Sequence, residues 1–232
     1  MAQQPWLVGI VACALSADAV PVRGELRRRR LQLRSVPAGR ARAAWTCAAP
    51  AGTIALVVSG SGIAAARQAA GFWMPRARRV AVAGTAIATP MAGEAAVILD
   101  GDAELAARAS GGPNTAVGRI ATVRDVGRSE QVLISLGRAG IAAVDREADA
   151  WRQAAAAVVG QVLVCGGVAD AVAVTRLARR VGLGEAAVPW WRRAIDPGGP
   201  DERRRRRQDE LAAAPARAAA ARAAVTALLG PG

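Results

Sequence analysis

Short apolar runs rich in β-branched residues recur along the chain: WLVGIVA (6–12), TIALVVSG (53–60), RVAVAG (79–84), AAVIL (95–99), GRIATV (118–123), IAAVD (141–145) and VVGQVLV (158–164). Each has the length of a strand and shows little alternation of apolar and polar positions, the pattern of strands covered on both faces. Between several of them lie alanine-rich stretches with helical character: GIAAARQAAGFW (62–73), AELAARA (103–109) and READAWRQAAAA (146–157). Strands alternating with helices predict a three-layer α/β/α sandwich around a central mixed, mostly parallel sheet. The loops after residues 12, 58, 83 and 145 are expected on one edge of that sheet.

The pattern changes after about residue 172. VTRLARRVGLG reads as a helix ended by glycine, and VPWWRRAIDPGGPDE is punctuated by proline and glycine in the manner of a loop. Residues 203–228 are arginine-rich, then alanine-rich, and are expected to be helical. This gives an α/β domain over 1–175 and a C-terminal helical extension over 176–232.

Composition adjusts this picture in three ways. The chain of 232 residues is 53% hydrophobic, enough for a real core, yet it holds one Phe, no Tyr and no His, so alanine and valine must fill the interior. Its basic residues are all arginine, and the net charge is +13. Arg27–Arg30 and Arg203–Arg207 carry much of that charge, but no aromatic interleaving or zinc-finger spacing accompanies them. Solvated arginines are favoured over a nucleic-acid surface. The three cysteines, Cys13, Cys47 and Cys165, are far apart and odd in number, which suits a reducing cytoplasm rather than a disulfide framework. Cys13 and Cys165 read as small core residues, and without histidine or a CxxC pair no metal site is expected.

The run from Trp6 to Leu15 is too short to cross a bilayer, and residues 80–99 are interrupted by Pro90, Gly93 and Glu94. The expected location is therefore the cytoplasm, with any membrane contact peripheral and made by arginines and the Trp190–Trp191 pair.

Three segments hold candidate chemistry. In VVSGSGIAAARQAA, a strand runs through Ser59-Gly60-Ser61-Gly62 into a helix, and small residues there let backbone amides approach an oxygen-rich ligand at a helix N-terminus. A tight turn with no ligand explains that segment equally well. In VAVAGTAIATPMAGEAAVI, a strand reaches Gly84, and Gly93-Glu94 opens the next one. In AVDREADA, Glu147 stands where a helix begins, between Asp145 and Asp149 and next to Arg146. A helix-start acid favoured by the macrodipole is one reading of Glu147, and a ligand-binding carboxylate is the other. In an α/β sheet all three segments would converge at the carboxyl ends of strands.

Together these segments resemble the nucleoside phosphorylase and nucleosidase superfamily. Its members carry Ser-Gly-x-Gly before an alanine-rich helix, Ala-Gly-Gly-Leu followed by Gly-Asp and a strand, and Val-(Asp/Glu)-Met-Glu-(Ser/Ala) entering a helix. Here these read Ser59-Gly60-Ser61-Gly62, Ala83-Gly84-Thr85-Ala86 with Gly93-Glu94, and Val144-Asp145-Arg146-Glu147-Ala148. CALSADA (13–19) and the DPGGP-containing tail are similar to the hopanoid-associated branch, and the resemblance covers most of residues 6–175.

The resemblance implies cleavage of an N-glycosidic bond to adenine through a ribosyl-cation-like state, with water or phosphate as acceptor and no other cofactor. It implies a small-molecule nucleoside partner, adenosyl carried on an apolar hopane in that branch, and a second copy of the chain is a further candidate partner. By the same resemblance Glu147 accepts hydrogen bonds from the ribose hydroxyls, since a carboxylate offers two acceptors to a cis-diol. Asp18 falls where nucleosidases place a water-activating acid, and otherwise reads as a cap or loop aspartate. Ser59 takes the place of a ligand-contacting serine, with Gly60, Gly62 and Gly84 allowing close approach. Arg146 replaces a methionine that packs on the sugar, and either meets phosphate or points to solvent. The family's acid for purine N7 has no direct counterpart. The ungapped match puts Gly167 there, so weak or absent catalysis, restorable by Gly167→Asp, is expected. Asp170 serves only if the loop shifts, and is otherwise an ordinary loop acid. Two alternatives remain: a relative that binds nucleosides without turnover, and a basic peripheral protein that binds anionic lipid or nucleic acid through its arginine runs.

Overall fold

The structure, a computed structural model, describes residues 6–123, 130–169 and 200–231. Ten strands form one sheet. Its centre is β1 (Leu7–Cys13), flanked by β4 (Gly52–Val58) and β5 (Arg79–Ala88), with β10 (Gln161–Ala169) beyond β5. These four strands run parallel. The edges are antiparallel additions: β2 (Arg34–Val36) and β3 (Ala43–Ala49) on one side, β6 (Val97–Gly101) on the other, with β7 (Thr115–Val117) parallel to β6. The mixed, layered α/β architecture expected from the strand–helix alternation is the one observed.

Period-two alternation divides the central strands between two cores. Ile10, Ala12, Val80 and Val82 face one side and pack with α2 (Ile63–Trp73) and α5 (Ala148–Ala157), whose Trp73 and Trp151 are almost fully buried. Val11, Cys13, Ala81, Ala83, Leu163 and Cys165 face the other side. There they meet α1 (Ser16–Arg28), α3 (Ala103–Ala109) and α6 (Pro200–Leu229). The three cysteines are all free and buried.

The last helix, α6, lies directly on the sheet. Ala213, Ala216, Ala220, Ala221, Ala224 and Ala227 are buried, a stripe of minimal side chains that lets two backbones approach closely. At Gly167 on β10 the approach is tightest: a Cβ there would lie 2.0 Å from the Ala216 carbonyl oxygen. Gly167 therefore faces helix backbone, and an aspartate placed there would strike α6 instead of filling the role of a leaving-group acid. The expectation that Gly167→Asp restores such an acid is corrected by this contact.

Several elements depart from the apolar runs. β5 does not end at residue 84 but continues to Ala88, because its distal half has a second partner. Ile87 and Ala88 pair antiparallel with β9 (Ile141–Asp145), which also pairs in parallel with β8 (Arg119–Thr122). The end of β9 thereby lies alongside the end of β5. Helix α1 forms despite an internal Pro21 and Gly24, since its Ala19, Val22 and Leu26 are buried against the sheet. Packing there outweighs poor intrinsic propensity. β2 and β3 are short of β-branched residues, and α4 (Glu130–Arg138) follows a stretch outside the described residues. Asp170, Trp190 and Trp191 also lie outside the described residues, as does the expected division at 175/176. Among the described residues no helix is long and apolar enough to cross a membrane.

The α6–β10 contact predicts a stability test. Gly167→Ala should lower unfolding free energy by about 1–3 kcal/mol, the range for forced overpacking. Gly84→Ala, whose Cβ would meet nothing within 4 Å, should stay within about 0.5 kcal/mol of the parent. Urea denaturation of the two variants makes the comparison.

Candidate active site

Parallel register brings the ends of three strands to one edge. Cys13 stands beside Val58, and Ala12 stands beside Val82. Past the ends of β1 and β4, the Ser59 amide donates to the Cys13 carbonyl at 2.9 Å and the Gly60 amide to the Ala14 carbonyl at 3.0 Å. The Ser59 hydroxyl is buried and turned inward, donating toward the Gly60 carbonyl at 3.0 Å and the Cys13 carbonyl at 3.3 Å. Ser59 thus clips the two strand ends together.

The turn then needs glycine twice. Gly60 has φ +101°, and Gly62, the N-cap of α2, has φ +89°. Both conformations are costly for any residue with a Cβ. With no side chain to cap it, the Gly62 amide is left pointing out of the helix start, and it donates to Glu147 Oε1 at 2.8 Å.

Glu147, the N-cap residue of α5, bonds to this amide of another helix and makes no side-chain capping bond to its own. Capping of α5 is done by Asp145, whose Oδ2 accepts from the Ala148 amide at 2.8 Å and the Glu147 amide at 3.4 Å. Its Oδ1 accepts from the Thr122 hydroxyl at 2.6 Å, and Thr122 Oγ1 accepts from the Asp149 amide at 3.0 Å. Burial raises the Asp145 carboxyl above its ordinary range, against those hydrogen bonds and the charge of Arg152. With the helix already capped, Glu147 is free to reach across to α2.

Asp18 faces the same region. It is in the first turn of α1, directly after β1, and is 4% exposed. Its Oδ2 accepts from the Leu15 amide at 3.3 Å, so the cap reading of Asp18 is realised. Its Oδ1 takes a bond from Arg217 Nε at 3.0 Å, and Arg217 comes from α6. Burial pushes the Asp18 carboxyl up to about 6, opposed by the Arg217 charge and by the bonds to Leu15 and Arg217. Burial likewise pushes Glu147 up to about 7, opposed by the Gly62 amide and reinforced by Asp145; Arg146 lowers it and Asp18 raises it. Acids held near neutrality at the carboxyl ends of strands are candidates for functional roles.

Gly84 stands mid-strand between buried Ala83 and Ala86 yet is partly exposed, with open space where a side chain would project. Arg146 is partly exposed beside Glu147. The fold therefore gathers Asp18, Ser59, Gly60, Gly62, Gly84, Arg146 and Glu147 at one sheet edge. Asp170 is the one candidate that falls outside the described residues.

Two basic residues were not singled out from the sequence. Arg42 lays its side chain along the turn, its Nε 3.4 Å from where a Gly60 Cβ would stand. Arg217 had a legible signal: it falls in helical register with Ala213, Ala220 and Ala224, all fully buried. A charge on that stripe needs a buried partner. Among the described residues no group of three or more His, Cys, Asp or Glu side chains is arranged to hold a metal ion.

No protein-family model and no curated protein matches the sequence. The fold has many solved counterparts. The chain is similar to the 5′-methylthioadenosine/S-adenosylhomocysteine nucleosidase of Neisseria meningitidis in complex with methylthio-immucillin-A, with a TM-score of 0.67 and 18% identity over 95% of this chain and 97% of that one. The corresponding nucleosidase of S. pneumoniae, with a transition-state inhibitor, gives 0.63 and 17% over 96% and 98%. A futalosine hydrolase mutant of Helicobacter pylori gives 0.61 and 12% over 75% and 94%. At these identities the likeness establishes a shared nucleosidase-type fold.

The raised carboxyls of Asp18, Asp145 and Glu147 predict the pH dependence of the ligand-free protein. A folded-state value above the unfolded one favours the protonated acid in the fold. That contribution is full below the ordinary values of 3.8 and 4.5, and is lost as pH rises through about 6 for Asp18 and about 7 for Glu147. Thermal unfolding should therefore show a Tm falling between about pH 4 and 7, and Glu147→Gln should flatten the upper part of that fall.

Proposed function

We propose that the protein is a nucleosidase-type enzyme that cleaves the N-glycosidic bond of an adenine nucleoside at the edge formed by β1, β4, β5 and β9. The observation that carries this reading is the Gly62–Glu147 hydrogen bond beside Asp18. It fixes one oxygen of Glu147 and leaves the other, Oε2, with no bond among the described residues. A carboxylate held in this way presents a fixed acceptor to a ribose hydroxyl pair. Donation from such hydroxyls would draw Glu147 back toward its ionised form.

Bond cleavage then follows from charge. As the base departs, positive charge grows on the ribose ring, and buried carboxylates beside the ring stabilise it more strongly than they would in water. Asp18, when ionised, accepts a proton from a water molecule attacking the anomeric carbon. Its carboxyl near 6 is suited to a general base at neutral pH. Water is favoured over phosphate as acceptor, because Asp18 is a base and has its own arginine already engaged. With Gly167 closed against α6, the acid assigned to the leaving base is Asp170, one position beyond the end of β10. The similarity of CALSADA and of the tail to the hopanoid-associated branch supports an adenosyl group on a large apolar carrier as the finer substrate.

Incubation with adenosine-type nucleosides, with and without phosphate, should release free adenine at a rate independent of phosphate. Asp18→Asn should lower that rate by about 10²–10⁴-fold, the usual share of general base catalysis. Glu147→Ala should weaken riboside binding at least tenfold, since each charge-assisted bond is worth about 1.5–3 kcal/mol, and should leave binding of free adenine much less affected. Riboside binding without any adenine release would favour a non-catalytic relative. Unchanged riboside binding in Glu147→Ala would contradict the assignment.

A further inference from the structure

Arg217 is a charged side chain of the C-terminal helix that reaches Asp18. It is 8% exposed and donates to an aspartate that is 4% exposed, with Nε and Oδ1 3.0 Å apart. An ion pair this deep is a weak source of stability, because desolvating both charges offsets most of their attraction. Its position is more informative. Asp18 lies in the first turn after β1, at the strand edge where Ser59, Gly62 and Glu147 meet. Arg217 crosses from α6 to reach it.

We propose that Arg217 is a positioning residue for the reaction: from the C-terminal helix it holds Asp18 by Oδ1 and keeps it charged, while Oδ2, which also accepts from the Leu15 amide, turns its remaining lone pair to the water that attacks the substrate. This rests on the nucleosidase reading of the site. The physical need is clear from the groups around Asp18. Among the described residues Arg217 of α6 and the Leu15 amide bond to it, and the charge of Asp18 reaches the Cys13 thiol of β1 and Glu147 at the start of α5. A carboxylate as deeply buried as Asp18 does not ionise readily without a compensating cation. The reaction needs it charged, as the base. An arginine meets this requirement at every relevant pH, because it does not lose its proton. Its bond through Nε also fixes the direction of the carboxylate.

The clamp makes α6 part of the active site, so reactivity depends on how this helix is seated. The seating is set by the alanine stripe and by the contact of Ala216 with Gly167, one residue from Arg217.

The test compares wild type with Arg217→Met and Arg217→Lys. The Asp18 carboxyl is followed by ¹³C NMR of labelled aspartate, with its signal assigned from Asp18→Asn. The rate of adenine release is followed across pH. In Arg217→Met the Asp18 titration and the acidic limb of kcat should both move to higher pH, kcat near pH 7 should fall at least tenfold, and KM should change little. Arg217→Lys should restore part of each effect, because it returns the charge without the same geometry. Circular dichroism reports whether each variant folds; should Arg217→Met fail to fold, Arg217→Lys must still show a smaller shift in the same direction. An unchanged Asp18 titration and acidic limb in a folded variant overturn the proposal. A purely structural role would lower the amount of folded protein and leave the limb where it was. If wild type releases no adenine, the functional reading fails, while the NMR titration still decides whether Arg217 controls Asp18.

Discussion

The bond from the Gly62 amide to Glu147 holds the site together. It joins the start of α2 to the start of α5, two elements 85 residues apart in sequence. Each end of the bond has been prepared for it. Gly62 can present its amide only because its backbone is in a conformation open to glycine. Glu147 can leave its own helix only because Asp145, two residues earlier, has taken over the cap. The sequence Asp-Arg-Glu therefore divides labour: the first acid caps α5 and the second bonds to the start of α2. Partial burial of Glu147 then raises its carboxyl toward neutrality.

A second constraint comes from the other face of the sheet. A core made of alanine and valine needs elements that approach closely, since small side chains leave voids at ordinary spacing. Helix α6 meets that need with its alanine stripe, and Gly167 of β10 accepts its backbone. The same closeness brings Arg217 within reach of Asp18. The unusual composition of this chain, nearly without aromatics, is thus connected to the arrangement of its charged residues.

The sheet and the convergence of three motifs at its edge were legible because buried strands and strand–helix turns leave local patterns. WLVGIVA and TIALVVSG became β1 and β4, and the glycines of residues 59–62 made the turn expected of them. The extent of β5 was not legible, since its distal half is set by pairing with β9, a contact that leaves no mark near residue 84. Helix α1 was hidden by Pro21 and Gly24, whose local cost is outweighed by packing that only the fold reveals. The ungapped alignment made Gly167 a place for an acid, but the contact with Ala216 makes it a place where no side chain fits. Which of the two neighbouring acids caps α5 also required three dimensions, since either could do so on sequence alone.

The central claim is that Glu147 and Asp18 line a nucleoside site at this sheet edge, with Glu147 anchored by Gly62. The most direct measurement is a crystal structure with a non-hydrolysable adenosine analogue bound. The account predicts the ribose hydroxyls within hydrogen-bond distance of Glu147, the Gly62–Glu147 bond intact, and Asp18 facing the anomeric carbon across a water molecule. An analogue bound elsewhere, or a ribose seated at this edge with Glu147 turned away from it, would contradict the account.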